Sequence, residues 1–220
     1  MRDFLNKNKW TLAVTSVIIL LPMAVGLLLW DKLPEKIPYH WGVNGEVDGW
    51  ASKTQAVFLM PSFMLAMQWF CALMTGLDPK AKNVTASKMM GIVLWIIPVL
   101  NLFLHVMVWL AAFGREMNTA VIMPLFMGVL FVVLGNYLPK CRQSYTLGIK
   151  LPWTLNDEEN WNATHRLAGK LWVAGGLLTM VCAVLPGVWA FIVMMSILVV
   201  MCVIPTVYSY RYYKTHKNDG

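Results

Sequence analysis

Charge is scarce in this chain. Asp, Glu, Lys and Arg together make up 13% of its 220 residues, about half the share of an ordinary soluble domain. Cysteine is scarce as well. Cys71, Cys141, Cys182 and Cys202 form no CxxC pair, which excludes a disulfide framework and a thiolate metal site of ordinary spacing. The HExxH and GxSxG patterns are absent, and with them two common hydrolase signatures. No acidic or basic residue falls in the central part of a long apolar run. That argues against proton-coupled transport, where charge at depth is the working part. The basic residues are dispersed, not gathered with aromatic residues into one patch, so direct nucleic-acid binding is not expected.

The chain is instead rich in apolar runs, with 58% hydrophobic residues. A membrane span needs roughly 20 mostly apolar residues. Six stretches qualify: Trp10–Trp30, Gln55–Gly76, Met89–Phe113, Thr119–Leu138, Leu167–Leu185 and Val188–Tyr208. The fold class is therefore read as an all-α integral membrane protein with six transmembrane helices. The first run follows Arg2, Lys7 and Lys9, as a signal peptide would. Its apolar core is longer than the roughly 7–15 residues of a signal, and no small-x-small site follows, so it is read as a retained helix. The 16 methionines are adjacent only at Met89–Met90 and Met194–Met195 and are read as flexible packing, not a Cu(I) path. No metal and no cofactor is expected.

Short cytoplasmic loops carry an excess of Lys and Arg. Arg2, Lys7 and Lys9, then Lys80, Lys82 and Lys88, then Lys140, Arg142, Lys150, Arg166 and Lys170, and finally Arg211, Lys214 and Lys217 fall on alternate connections and tails. Only Lys32, Lys36, Lys53 and Arg115 fall on the other side. This distribution predicts both termini in the cytoplasm. It predicts one ordered extracytoplasmic loop, at about 31–54, in an N-terminal half (1–113), and one cytoplasmic loop, at about 139–166, in a C-terminal half (114–220).

The outer loop reads "LPEKIPYHWGVNGEVDGW", Leu33 to Trp50. Pro34 and Pro38 impose extended or turn geometry. Asn44-Gly45 and Asp48-Gly49 are tight-turn dipeptides. Tyr39, Trp41 and Trp50 suit the headgroup level. His40 with Asp48 could act as an acid–base pair, could join Glu46 as metal ligands, or could brace the turn. Below it, Asn101 and His105 share one helix face at i, i+4. Two readings stay open for them: interhelical hydrogen bonding, or a polar floor beneath the outer loop. In the inner loop, Thr154 followed by Asp157 predicts an N-capped amphipathic helix over 155–164, with Asp157, Glu158 and Glu159 in its first turn. The glycosylation triplets at Asn83 and Asn162 are discounted because both fall on the cytoplasmic side.

The two loops carry a family resemblance. "LPEKIPYHWGVNGEVDGWASK" resembles the pattern LPxxIPxHWxxxGxxDxWxxK of a short bacterial membrane domain of unknown function. "TLGIKLPWTLNDEENWNATHRLAGKLW" resembles the signature of the SdpI family, GI[KR]xPWTL, then Trp, then THR. The resemblance implies a multi-pass protein of the bacterial cytoplasmic membrane. Such a protein confers immunity to a secreted, membrane-active peptide toxin, and it senses the toxin while holding a transcriptional repressor, ArsR-like, at the membrane. It carries over motif positions only: Pro34, Pro38, His40, Trp41, Gly45, Asp48 and Lys53 outside, and Gly148, Pro152, Trp153, Thr154, Trp161, Thr164, His165 and Arg166 inside. The alternatives are a membrane enzyme or a small transporter acting on a lipid or peptide from the outer side. No catalytic residue is assigned.

Overall fold

Six helices among the described residues are long and apolar enough to cross a membrane. The structure is a computed structural model and describes residues 1–80 and 88–218; Lys82 and the Asn83-Val-Thr triplet lie outside the described residues. The long helices are α1 (Arg2–Leu28), α2 (Met60–Gly76), α3 (Lys88–Ala112), α4 (Thr119–Tyr137), α6 (Glu158–Val181) and α7 (Gly187–Asn218), with a short α5 (Pro152–Asn156) before α6. Apolar side chains point outward along them: Val17, Leu28, Phe70, Val181 and Val199 are each more than half exposed. A helix that exposes such residues without a polar face is solvated by lipid. The chain is a multi-pass membrane protein.

The chain divides into two compact units, Met1–Gly76 with Gly91–Thr119, and Leu77–Met90 with Ala120–Gly220. In the first unit, side-chain amides tie the helices together. Gln68 Nε2 on α2 donates to Thr15 Oγ1 on α1 (3.2 Å) and to the Leu94 carbonyl on α3 (3.0 Å). Asn101 Nδ2 on α3 donates to the Ile19 carbonyl on α1 (3.0 Å). At membrane depth no water competes for these groups, so each pairing fixes which faces meet. The start of the second span is a π-helical stretch, Gln55–Leu59, immediately before Pro61. Pro61 has no N–H to offer the Val57 carbonyl, and the turn widens there.

The outer loop departs from the all-α expectation. It is an antiparallel hairpin of β1 (Lys36–Trp41) and β2 (Val47–Ser52). Ile37 pairs with Ala51, Pro38 with Trp50 and His40 with Gly49, with irregularities on either side of His40. The turn closes through Gly42 N–H to the Glu46 carbonyl (2.8 Å) and Gly45 N–H to the Gly42 carbonyl (2.9 Å). Gly45 has φ +88°, so the Asn44-Gly45 turn forms where expected. The expected turn at Asp48-Gly49 does not: both residues lie inside β2. The hairpin exists because one face has somewhere to go. Ile37 and Ala51 pack with Leu33, Ala56, Val57 and the α3 residues Val108 and Trp109, and Ile37 is wholly buried. Full burial of one such side chain stabilises by about 1.5–3 kcal/mol.

In the second unit, α4 and α6 approach backbone to backbone. A Cβ on Gly128 would stand 2.6 Å from the Gly176 carbonyl oxygen, and one on Gly135 would stand 2.9 Å from that of Gly169. Small residues a constant seven positions apart on both helices make this seam. The inner loop also departs from expectation. No separate amphipathic helix spans 155–164. Asp157, extended at φ −135° and ψ 113°, caps α6 directly, its Oδ1 accepting from the N–H groups of Glu159 (2.9 Å) and Asn160 (3.0 Å). The fifth long helix therefore starts nine residues before the expected Leu167 and carries Trp161 to Arg166 as its own first turns. Thr154 is not the cap of that helix. It is buried in α5, where its Oγ1 takes the Leu151 N–H (3.0 Å) and donates toward the Ile149 carbonyl (2.8 Å).

Gly148 closes this loop at φ +101°. A Cβ there would sit 2.6 Å from His165 Nε2 and 2.7 Å from Trp161 Cζ2. Gly148→Ala is expected to destabilise the purified protein by more than about 2 kcal/mol, from positive-φ strain plus overlap. A thermal melt in detergent checks it, and an unchanged midpoint would contradict the close approach.

Candidate functional site

The outer motif sorts into two sets. Lys53, Pro38, Ile37 and Ala51 point inward. Lys53 is a buried cation, its Nζ 4.8 Å from the Trp30 ring centroid and 3.7 Å from Glu35 Oε1. Its N–H also donates to the Glu35 carbonyl (3.1 Å). It closes the base of the hairpin. His40 and Asp48 point outward. His40 Nδ1 lies 2.5 Å from Asp48 Oδ1, with side chains 70% and 48% exposed. Gly49 makes the pair possible, because a Cβ there would meet His40 Cβ at 2.7 Å. An exposed pair of this kind contributes about 0–1 kcal/mol, so it stabilises the hairpin little. Pro34 is exposed as well, and Gly45 is half-buried, its carbonyl accepting from Thr119 Oγ1 (3.2 Å).

Beneath the hairpin lies a cavity of about 80 Å³ lined by Tyr39, Trp41, Ala56, Met60, Leu104, His105 and Val108. The structure thus brings hairpin aromatics over His105, while Asn101 does not line the cavity. His105 Nδ1 donates to the Asn101 carbonyl (2.9 Å) and its ring lies 6.0 Å from that of Trp109. Asn101 makes the interhelical bond of the other reading, to Ile19. Asn101 Oδ1 and Trp109 Nε1 are buried without a hydrogen-bond partner among the described residues. Neither His40 nor Asp48 lines the cavity. Among the described residues no three His, Cys, Asp or Glu side chains are grouped to hold a metal ion.

The inner motif is a buried clasp. Trp161 Nε1 donates to the Cys141 carbonyl (2.8 Å), and its ring stacks on His165 at 4.1 Å. His165 Nδ1 donates to the Trp161 carbonyl (2.8 Å), and its Nε2 accepts the Ile149 N–H (2.9 Å). Thr164 Oγ1 donates to Asn160 Oδ1 (3.0 Å), and Asn160 Nδ2 reaches the Ser209 carbonyl on α7 (3.0 Å). Trp153 Nε1 donates to Ser209 Oγ (2.9 Å). Trp161, Thr164, His165 and Thr154 are at most 1% exposed. Of the inner motif, Pro152 and Arg166 are exposed, and Gly148 and Trp153 are half-buried.

Asp78 belongs to the clasp and was not foreseen. Its Oδ2 accepts from Tyr145 N–H (2.9 Å), Thr146 N–H (2.9 Å) and Thr146 Oγ1 (2.8 Å), and its Oδ1 accepts from Lys80 N–H (2.7 Å). Lys80 in turn bonds Gln143 and the Leu155 carbonyl. The available signal was the Asp78-Pro79 dipeptide, which starts a turn. Nothing local shows that this carboxylate gathers a loop more than sixty residues away.

Residues 140–209 match the SdpI/YfhL protein family, and residues 17–65 match a domain of unknown function, DUF1648. The chain is 29% identical over 204 residues to a protein named Immunity protein SdpI from Bacillus subtilis (strain 168), covering 91% of this chain and 95% of that one. No solved structure matches.

Cys141, near the start of the SdpI/YfhL match, is buried, and burial pushes its thiol up to about 11. The thiolate is the reactive form, so at pH 8 Cys141 holds roughly a hundredfold less of it than an ordinary cysteine. Iodoacetamide at pH 8 followed by peptide mapping is expected to label Cys141 only after denaturation. Equal labelling of native and denatured protein would contradict this burial.

Proposed function

We propose that this chain, whose inner segment matches the SdpI/YfhL family, is a bacterial membrane immunity protein. It confers resistance to a secreted, membrane-active peptide. The observation that carries the reading is the end-to-end similarity to a protein named for immunity, spanning both matched segments and the helices between them. The geometry supports it by dividing labour between the motifs. The outer one holds a rigid hairpin with His40, Asp48 and the Gly42–Glu46 turn on its open face. The inner one is largely consumed by packing, with Pro152 and Arg166 left exposed.

The distribution of Lys and Arg supports a cell-membrane orientation with both termini in the cytoplasm and the hairpin outside. In that orientation the hairpin is the surface a secreted peptide meets first. Tyr39 and Trp41 join it to the His105 cavity, so a ligand that moves the hairpin changes packing on α3. Relay to a cytoplasmic repressor is the finer part of the proposal. Its support is a groove of about 360 Å³ lined by Pro152, Trp153, Asn156, Asp157, Tyr213 and His216, which offers a soluble partner an aromatic and acidic face. An enzymatic role for His40 and Asp48 has less support, since the pair is solvated and lines no cavity beneath the hairpin.

Sensitive bacteria expressing this chain are expected to keep their membrane potential when challenged with secreted membrane-active peptides, as read by a potential-sensitive dye. His40→Ala and Asp48→Asn are expected to raise sensitivity about tenfold, the scale of an exposed recognition hot spot, without changing abundance or melting temperature. No protection against any peptide tried would remove the immunity reading. Full protection by both variants would move recognition away from this pair.

A further inference from the structure

We infer that the second unit holds an anionic phospholipid in a groove beside α6, with Arg166 and Lys170 gripping the phosphate. The groove has a volume of about 510 Å³ and is lined by Pro139, Ala163, Arg166, Leu167, Lys170 and Tyr208. Its lining is mostly apolar, with the two cations one helical turn apart on one face of α6 and no carboxylate among them.

Depth makes the cations informative. The helical span containing α6 ends at Val184. A hydrocarbon layer of about 30 Å takes roughly 20 residues at 1.5 Å each, and counting back from Val184 reaches about position 165. Arg166 and Lys170 therefore stand at or inside the hydrocarbon edge, where an uncompensated cation is costly. Among the described residues the ion pairs are His40 with Asp48 and Lys53 with Glu35, so neither Arg166 nor Lys170 finds its counter-charge among the described residues. Both are exposed. The anion that reaches this depth with an apolar body attached is a phospholipid headgroup. A guanidinium can grip a phosphate with two parallel hydrogen bonds. The acyl chains pass Leu167 into the hydrocarbon, and basic pockets between spans are a known headgroup geometry. Nothing in this inference depends on the immunity reading.

The test is competition on the purified full chain, with phosphatidylglycerol and phosphatidylcholine of identical acyl chains in detergent and retained lipid counted by native mass spectrometry. The wild type is expected to retain phosphatidylglycerol preferentially. Arg166→Gln and Lys170→Gln are each expected to cut that preference about fivefold, the weight of one basic residue at an anionic surface. Ala163→Leu, which fills the groove and keeps both charges, is expected to lower retention too. Millimolar inorganic phosphate is expected to leave retention unchanged. Equal retention of the two lipids by the wild type would overturn the inference without reference to any variant. So would an unchanged preference in the folded double variant, or displacement of the lipid by inorganic phosphate, which would mark a free-anion site.

Discussion

The imidazole of His165 holds the second unit's loop to its helices. It donates through Nδ1 to the Trp161 carbonyl one turn back and accepts the Ile149 N–H through Nε2. Only a neutral ring with its proton on Nδ1 makes both bonds. Because the ring is buried against Trp161, its orientation determines where Ile149 and Gly148 run. Gly148 must lack a side chain to pass the ring, Trp161 must reach the Cys141 carbonyl, and Thr154 must take the freed Leu151 N–H. A loop near the membrane has few waters to satisfy its backbone. This one satisfies its backbone with side chains from α5, from the first turns of α6 and with Asp78, so removing any one of them leaves a buried polar group unpaired.

The hairpin of the first unit solves the opposite problem. Two strands alone are marginal in water, and this pair is held by one buried face. Ile37 and Ala51 insert beside Val108 and Trp109, Lys53 closes the base, and Thr119 ties the turn through the Gly45 carbonyl. With one face anchored, the other is free to be polar. His40 and Asp48 sit where the register is irregular, and the Gly49 gap lets His40 lie close to the opposite strand. The irregularity aims the two side chains outward together, the use to which strand bulges are commonly put.

Much of this was legible in the sequence. Run length gives the six spans, because a helix that must cross about 30 Å of hydrocarbon cannot hide its composition. Asn44-Gly45 gives the turn, since few residues accept φ near +88°. The pairing of His40 with Asp48 was among the readings the spacing left open. The strands themselves were not read, because Pro38 and the two irregularities break the alternation that marks a strand. The start of α6 was missed because its first turns, Glu158 to Arg166, are polar. That polarity reads as loop until Asp157 is seen capping the helix and Trp161, Thr164 and His165 are seen filling a clasp. Asp78 was invisible because its partners are distant in sequence, and the groove beside α6 because a groove needs three elements at once.

The two motifs look alike as strings, each a run of Pro, Trp, His and Gly. Their residues do different physical work, and exposure is what tells them apart. A buried motif residue is explained once its hydrogen bonds and contacts are accounted for: Trp161, Thr164 and His165 have their polar atoms paired and their rings packed. An exposed motif residue with little effect on stability has no such account. His40 and Asp48 are mostly solvated, and a pair of that kind adds at most about 1 kcal/mol. Arg166 belongs with them, as it is exposed and has no carboxylate partner among the described residues. Folding explains neither the outer pair nor this arginine, so a binding partner is the natural reason for both. For the first, the proposed partner is a secreted peptide, which travels in water. For the second it is in the bilayer, where the anion must bring its own apolar body.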